Sequence, residues 1–263
     1  MQDRFYTLLK SRLRAEIEQK PPLFPWETEF CDYESEVTDW NAPKLVPAGL
    51  WSTHLLNLSL PVPMPEAVLN QLFNHCQAVV QTSLREGAKL VRAVEELFPG
   101  QSQTLNHLAG LVVATPARSG SSASLAALPG LPNRYDAATQ PQQMALSLIA
   151  AREILESLTL RVSPEQPKIE RQWNTAVGTL TLQAETLSGQ GPLRIQGQLP
   201  SSGSLHLKGD DVQAIAQRTN PGYISVELYD FQPDRAYPLE VRLSDSDQTP
   251  LILAIYPITA DNA

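Results

Sequence analysis

Basic residues are scarce in this sequence. The 263 residues include 20 lysines and arginines against 28 aspartates and glutamates, a formal net charge of −8. Phosphate binding needs Lys and Arg gathered on one face, and no basic cluster is longer than Lys10–Arg14, so a general nucleic-acid or acidic-membrane binder is excluded. A role at DNA through a partner stays open. Cysteine is scarcer still. Cys31 and Cys76 have no CxxC spacing and no nearby His pair, which argues against a metal site and points to a reduced pair in the cytoplasm. No apolar run approaches the ~20 residues of a membrane span. The first twenty residues thread charges through their apolar positions, unlike a signal peptide. The expectation is a soluble, cytoplasmic protein, and an apolar share of 42% is enough for a core.

Catalytic signatures are also missing. The serine cluster "RSGSSASL" lacks G-x-S-x-G spacing, and its flanks read as loop rather than strand–turn–helix. His54, His75, His107 and His206 are scattered, and none has a visible partner that would make it a general base. The expectation is a protein that is not an enzyme, with no cofactor and no metal.

The chain instead offers two pattern types. Residues 3–19 repeat apolar positions at three- and four-residue steps, an amphipathic helix that Pro21 and Pro22 end. A longer periodic segment, 65–97, starts at Pro65 and stops at Pro99-Gly100; its spacing predicts one helix, with Gly87 inside it. A further helix is predicted from Ser102 to about Val113, with Leu105, Leu108, Leu111 and Val112 inward, and another from the N-cap candidate Thr139 onward. Residues 115–136, rich in Gly, Pro and Ser, read as a mobile loop. From Pro164 the period changes to two. Runs such as "VGTLTLQAETL", "PLRIQGQLP", "YISVELYDF" and "PLILAIYPI" alternate between turn residues, as in an antiparallel sandwich of the immunoglobulin type. The predicted class is α+β: a helical domain over 1–163, a linker at 164–172, and an immunoglobulin-like β-sandwich over 173–258.

Aromatics make up only 6% of the chain, and residues 21–40, "PPLFPWETEFCDYESEVTDW", hold five of them among six carboxylates. Calcium-loop spacing is absent. Aromatics with a charged rim are the usual composition of an interface centre. Trp26 is therefore a candidate anchor, and Glu29, Asp32, Glu34 and Glu36 a candidate recognition edge. On the predicted long helix, Arg85, Lys89 and Arg92 form a narrow basic stripe, a candidate contact for acidic groups in this chain or across a dimer.

Three stretches carry a family resemblance: "PPLFPWETE", "VQTSLREGAKLVRAVEELFPGQSQTLNHLAGLV" and "YDAATQPQQMALSLIAAREILESLTL". Together they resemble the cyanobacterial PatU-type proteins linked to heterocyst pattern formation. The resemblance implies a non-enzymatic regulatory protein of the cytoplasm, working with a DNA-binding regulator of the HetZ type and carrying no catalytic residues. Two rival expectations stand beside it: a small-ligand binder or enzyme with a pocket between the two domains, and a scaffold subunit of a larger assembly or homo-oligomer whose sandwich edge pairs with another chain.

Overall fold

A computed structural model describes residues 50–114, 133–186, 191–209, 212–229, 231–243 and 250–258. The chain divides into two units, Met1–Leu45 and Val46–Ala263, and every described residue belongs to the second. The predicted helix at 3–19 lies outside the described residues. So do the 21–40 strip with Trp26, Glu29, Asp32, Glu34 and Glu36, and residues 115–132 of the predicted loop.

The helical part holds α1 (Ser52–Leu56), α2 (Glu66–Val80), α3 (Glu86–Glu95), α4 (Ser102–Ala114) and α5 (Gln140–Ser157). The single helix predicted over 65–97 is two. α2 stops at Val80 because side chains take over its terminal carbonyls, which have no partners within the helix. The Thr82 hydroxyl donates to the Val79 carbonyl at 2.7 Å, and the Lys89 ammonium to the Val80 carbonyl at 3.0 Å. Leu84 falls in the connection and is 40% exposed, outside the apolar stripe expected to hold it. Gly87 sits in the first turn of α3, where an added Cβ would lie 3.8 Å from Val113 of α4. Leu105 is buried as expected, whereas Leu111, also expected inward, is half exposed and Ala109 faces the core. α5 begins as its sequence requires. Gln142 accepts the Thr139 main-chain N–H at 2.9 Å, satisfying a donor that the first turn leaves orphaned. The predicted loop ends earlier than Asp136: Tyr135 is buried in a 3-10 turn, and its hydroxyl lies 3.1 Å from that of Ser147 on α5.

Among the described residues nine strands follow: β1 (Thr159–Val162), β2 (Lys168–Thr175), β3 (Gly178–Thr186), β4 (Leu193–Leu199), β5 (Gly203–Lys208), β6 (Gln213–Arg218), β7 (Gly222–Leu228), β8 (Tyr237–Leu243) and β9 (Leu251–Pro257). They form a five-stranded sheet, β1-β9-β8-β5-β6, and a four-stranded sheet, β2-β3-β4-β7. β1 runs parallel to β9; the other pairs are antiparallel. The protein is therefore α+β, as predicted. Strand structure starts earlier than expected. β1 begins in the last two residues of the stretch read as a helix, and β2 occupies much of the segment read as a linker.

Alternate residues of both sheets, among them Leu180, Leu182, Ile195, Leu205, Leu239 and Leu253, are fully buried and join one apolar cluster with Leu72, Leu90, Leu146 and Ile154 of the helices. Each such side chain is worth about 1.5–3 kcal/mol relative to exposure. Gly197 on β4 lets them close up. A Cβ there would come within 3.2–3.3 Å of Leu205, Ile224 and Leu182, tighter than these branched side chains tolerate without shifting.

Helices and sheets meet at Trp173 of β2, which is wholly buried. Trp51 approaches its ring edge-on at 6.4 Å, Phe73 lies tilted at 6.1 Å, and His54 stacks at 3.9 Å. Hydrogen bonds cross the same junction. The Ala176 N–H donates to the Leu50 carbonyl at 3.2 Å and the Ala254 N–H to the Leu158 carbonyl at 2.9 Å. The buried Gln77 amide accepts the Ile252 N–H at 2.7 Å.

Candidate binding cleft at the helix–sheet junction

The corner between α2 and α3 rests on the outer side of β9. Outward positions alternate along β9, so Ile252, Ala254 and Tyr256 face the helices while Leu251, Leu253 and Ile255 face the other sheet. Lys89 bridges the corner and the sheet. Besides capping α2, its ammonium donates to the Tyr256 hydroxyl at 2.9 Å and lies 5.3 Å from that ring's centre. A cation at a helix C-terminus is favoured by the local dipole. The parallel register of β1 then sets Arg161 beside Tyr256.

These groups line a cleft of about 290 Å³. Val80, Leu84, Leu90 and Leu155 give it apolar walls; Lys89, Tyr256, Arg161 and Arg152 supply donors; Glu86 and Glu156 supply acceptors. Arg152 also donates to the Val112 carbonyl at 2.7 Å, tying α5 to α4. Arg161 is exposed and makes no ion pair with any described residue. The Lys89 ammonium has three protons, two of them used by Val80 and Tyr256. Tyr256 accepts from Lys89 and keeps its own O–H to donate. The third ammonium proton, the phenol and the Arg161 guanidinium together match the oxygens of a carboxylate or phosphate group. Nearby on α5, burial pushes the Glu153 carboxyl up, helped by the Glu156 charge and opposed by Arg152.

The three residues of the predicted basic stripe differ in burial. Lys89 is half-buried in the junction. Arg85, just before α3, and Arg92, in its last turn, are exposed. Tyr256, Arg161 and Arg152 were not singled out from the sequence. Tyr256 was detectable as the outward polar-tipped residue of an alternating run. Arg161 was not, because its strand begins in the tail of a stretch that reads as a helix.

Three further reactive groups, Cys76, His75 and His206, have structural partners. Cys76 is buried and unpaired, its thiol 3.7 Å from the Ala151 carbonyl, and burial drives its pKa far up. His75 meets Glu96 at 3.2 Å and His206 meets Gln213 at 2.9 Å. On the outer face of the four-stranded sheet, Arg194 lies 2.7 Å from Glu227 and 3.2 Å from Glu185; its hydrogen bond holds the Glu227 carboxyl below the usual range. Among the described residues, no group of three or more His, Cys, Asp or Glu side chains is placed to hold a metal ion, and no helix is long and apolar enough to cross a membrane. No protein family, curated protein or solved structure matches the chain.

Proposed function

We propose that this chain is a non-enzymatic regulatory protein that acts by binding an acidic segment of a protein partner in the cleft between the α2–α3 corner and the β1–β9 edge. The observation that carries the proposal is the convergence of Lys89, Tyr256 and Arg161 on one opening with apolar walls. A carboxylate flanked by an apolar side chain satisfies both halves of that surface, and charge complementarity of this kind chooses partners and speeds encounter. The resemblance to PatU-type proteins supports a regulatory role in the cytoplasm of a cyanobacterium, with a HetZ-type regulator as the partner. Arg85 and Arg92 on the exposed side of α3 extend the contact. In the same proposal Trp26 is an anchor, and Glu29, Asp32, Glu34 and Glu36 form a second recognition edge. The test is capture of partners from the source organism by the parent protein and by Arg161→Glu. Loss of the captured protein in the variant is the expected result; equal capture overturns the assignment of the cleft.

A second reading is favoured by the cleft's size. Its volume lies at the lower edge of the roughly 300–1,000 Å³ of small-ligand pockets. Calorimetric titration with inorganic phosphate separates the two: saturable binding that Arg161→Glu abolishes supports a small anion as the occupant.

The finer architecture belongs to the same proposal. β3 to β9 are read as strands A, B, C, C′, E, F and G of an immunoglobulin-like sandwich, with A-B-E opposite G-F-C-C′. Tyr237 supports that reading. It stands at the start of the F-equivalent β8, accepts the Gln232 N–H at 2.6 Å and donates to the Gln232 carbonyl at 3.1 Å, the bonding of a tyrosine corner. Leu239 stands where antibody domains carry the second cysteine of their inter-sheet disulfide, and burial in the core takes that role. An N-terminal helical domain preceding this sandwich completes the reading.

A further inference from the structure

We infer that β6 is a docking edge for a second copy of this chain, which adds its own β6 antiparallel to it and joins two five-stranded sheets into one. β6 is the last strand of its sheet and, among the described residues, pairs only with β5. It lacks the usual protections of an edge. It contains no proline or lysine, no residue from Val212 to Gln217 is charged, and Ile215 and Val212 are 61% and 58% exposed. Ala214 and Ala216 pack against the core, so the strand is fixed by its inner face, while Ile215 on the outer face is exposed and, among the described residues, no strand pairs with the other edge.

The sequence of β6 specifies the occupant. Gln213-Ala214-Ile215-Ala216-Gln217 reads the same in both directions about Ile215. In a two-fold antiparallel pair centred there, Ile215 meets its counterpart on the outer face, Ala214 meets Ala216 on the inner face, and Gln213 meets Gln217. Amide side chains carry both donors and acceptors, so the glutamine pairs are self-complementary. A shift of the centre by one residue sets Ile215 against glutamine and loses the apolar pair. Charge favours the direction. Arg218 closes the strand, so antiparallel pairing keeps the two guanidinium groups at opposite ends, whereas parallel pairing sets them side by side. Arg218 donates through Nε to the Asn220 carbonyl at 3.0 Å and through Nη1 to the Tyr223 carbonyl at 2.8 Å, which holds it over the turn at that end while Nη2 keeps its donors. The result is an isologous contact, the commonest form of homodimer.

Two measurements on the full chain test this. Sedimentation across a concentration series should show a reversible dimer, and Ile215→Lys should weaken it by at least about tenfold, because the two-fold axis sets the new charges against each other. The melting temperature should hold, since residue 215 is mostly exposed. The second uses cysteines introduced into a Cys31→Ser background. Directly opposed residues of an antiparallel pair have Cα atoms about 4.5–5.5 Å apart, within disulfide range, so Ile215→Cys should crosslink to its own copy under mild oxidant. Gln217→Cys should not, because two copies of residue 217 lie about 14 Å apart in this register. A chain that stays monomeric to about 1 mM overturns the inference, as does a dimer that survives Ile215→Lys unchanged. A Gln217→Cys crosslink as efficient as that of Ile215→Cys also overturns it. If Ile215→Lys fails to fold, the crosslinking pair decides alone. Pairing of β6 with an extended peptide of another protein, while the chain itself remains monomeric, counts against the second copy as occupant.

Discussion

Two regions flank the contact between α2 and the sheets, and their chemistry is opposite. On one side Trp173 is enclosed by Trp51, Phe73 and His54. On the other, Lys89, Tyr256 and Arg161 line an open cleft. The first region is apolar and close-packed, so its side chains contribute to stability. The second has donors beyond those the fold uses, and its outer member, Arg161, is exposed. The difference teaches that α2 and α3 do two separable jobs: they close the apolar core at the sheet margin, and they present a charged opening beside it.

The largest expected effect comes from removing the helices altogether. A fragment of residues 168–263 loses β1, the parallel neighbour of β9, and every aromatic partner of Trp173 described here. Its thermal unfolding, followed by circular dichroism, is expected to lose the parent's sharp cooperative transition. A cooperative transition at the parent's temperature would show that the sheets form a self-sufficient domain, the division expected at 164–172.

Next is Trp173→Ala, which empties a fully buried site and is expected to cost about 3–5 kcal/mol in denaturant unfolding. The matching change in the other region, Arg161→Ala, should stay within about 0.5 kcal/mol. Equal losses would erase the distinction. Lys89→Met falls between them. It leaves the Val80 carbonyl uncapped and the Tyr256 hydroxyl without its charged partner, a loss of about 1.5–3 kcal/mol for a hydrogen bond from a charged group.

The extent to which these regions could be read from the chain follows from burial. Strands with one face in the core, such as β3, β4 and β8, alternate strongly and were legible. β2 and β6 were not. Each is a sheet margin with few apolar positions, and β6 has only Ile215 as a large one. The Trp173 junction was hidden because its members, Trp51, His54, Phe73 and Trp173, are far apart in sequence and meet only through tertiary packing. The break between α2 and α3 was hidden for a related reason. The apolar spacing runs nearly unbroken through Leu84, while the bonds that end α2 come from Thr82 and Lys89, whose roles depend on geometry. Lys89 was picked out as a charge on a stripe, but its hydrogen bond to Tyr256 spans 167 positions. Trp26, Glu29, Asp32, Glu34 and Glu36 are known from sequence alone, since they lie outside the described residues.

The smallest expected effect is one of pH. Burial lowers the His54 pKa below its ordinary value of 6.5, and its Nε2 is buried without a hydrogen-bond partner. The unfolded chain therefore binds more protons at this site than the folded one as pH falls below 6.5, so the folded state loses stability with acidification and regains it above that value. Denaturant midpoints of the parent and of His54→Gln measured between pH 7.5 and pH 5.5 should converge toward the acid end. Parallel curves would show that His54 does not titrate against the fold.

The central claim is that the cleft binds while the Trp173 junction stabilises. Its most direct measurement is partner capture by Arg161→Glu at a folded fraction matched to the parent's by circular dichroism. The expected result is an unchanged melt and loss of the captured protein. A variant that melts like the parent and captures the same protein in the same amount would contradict it.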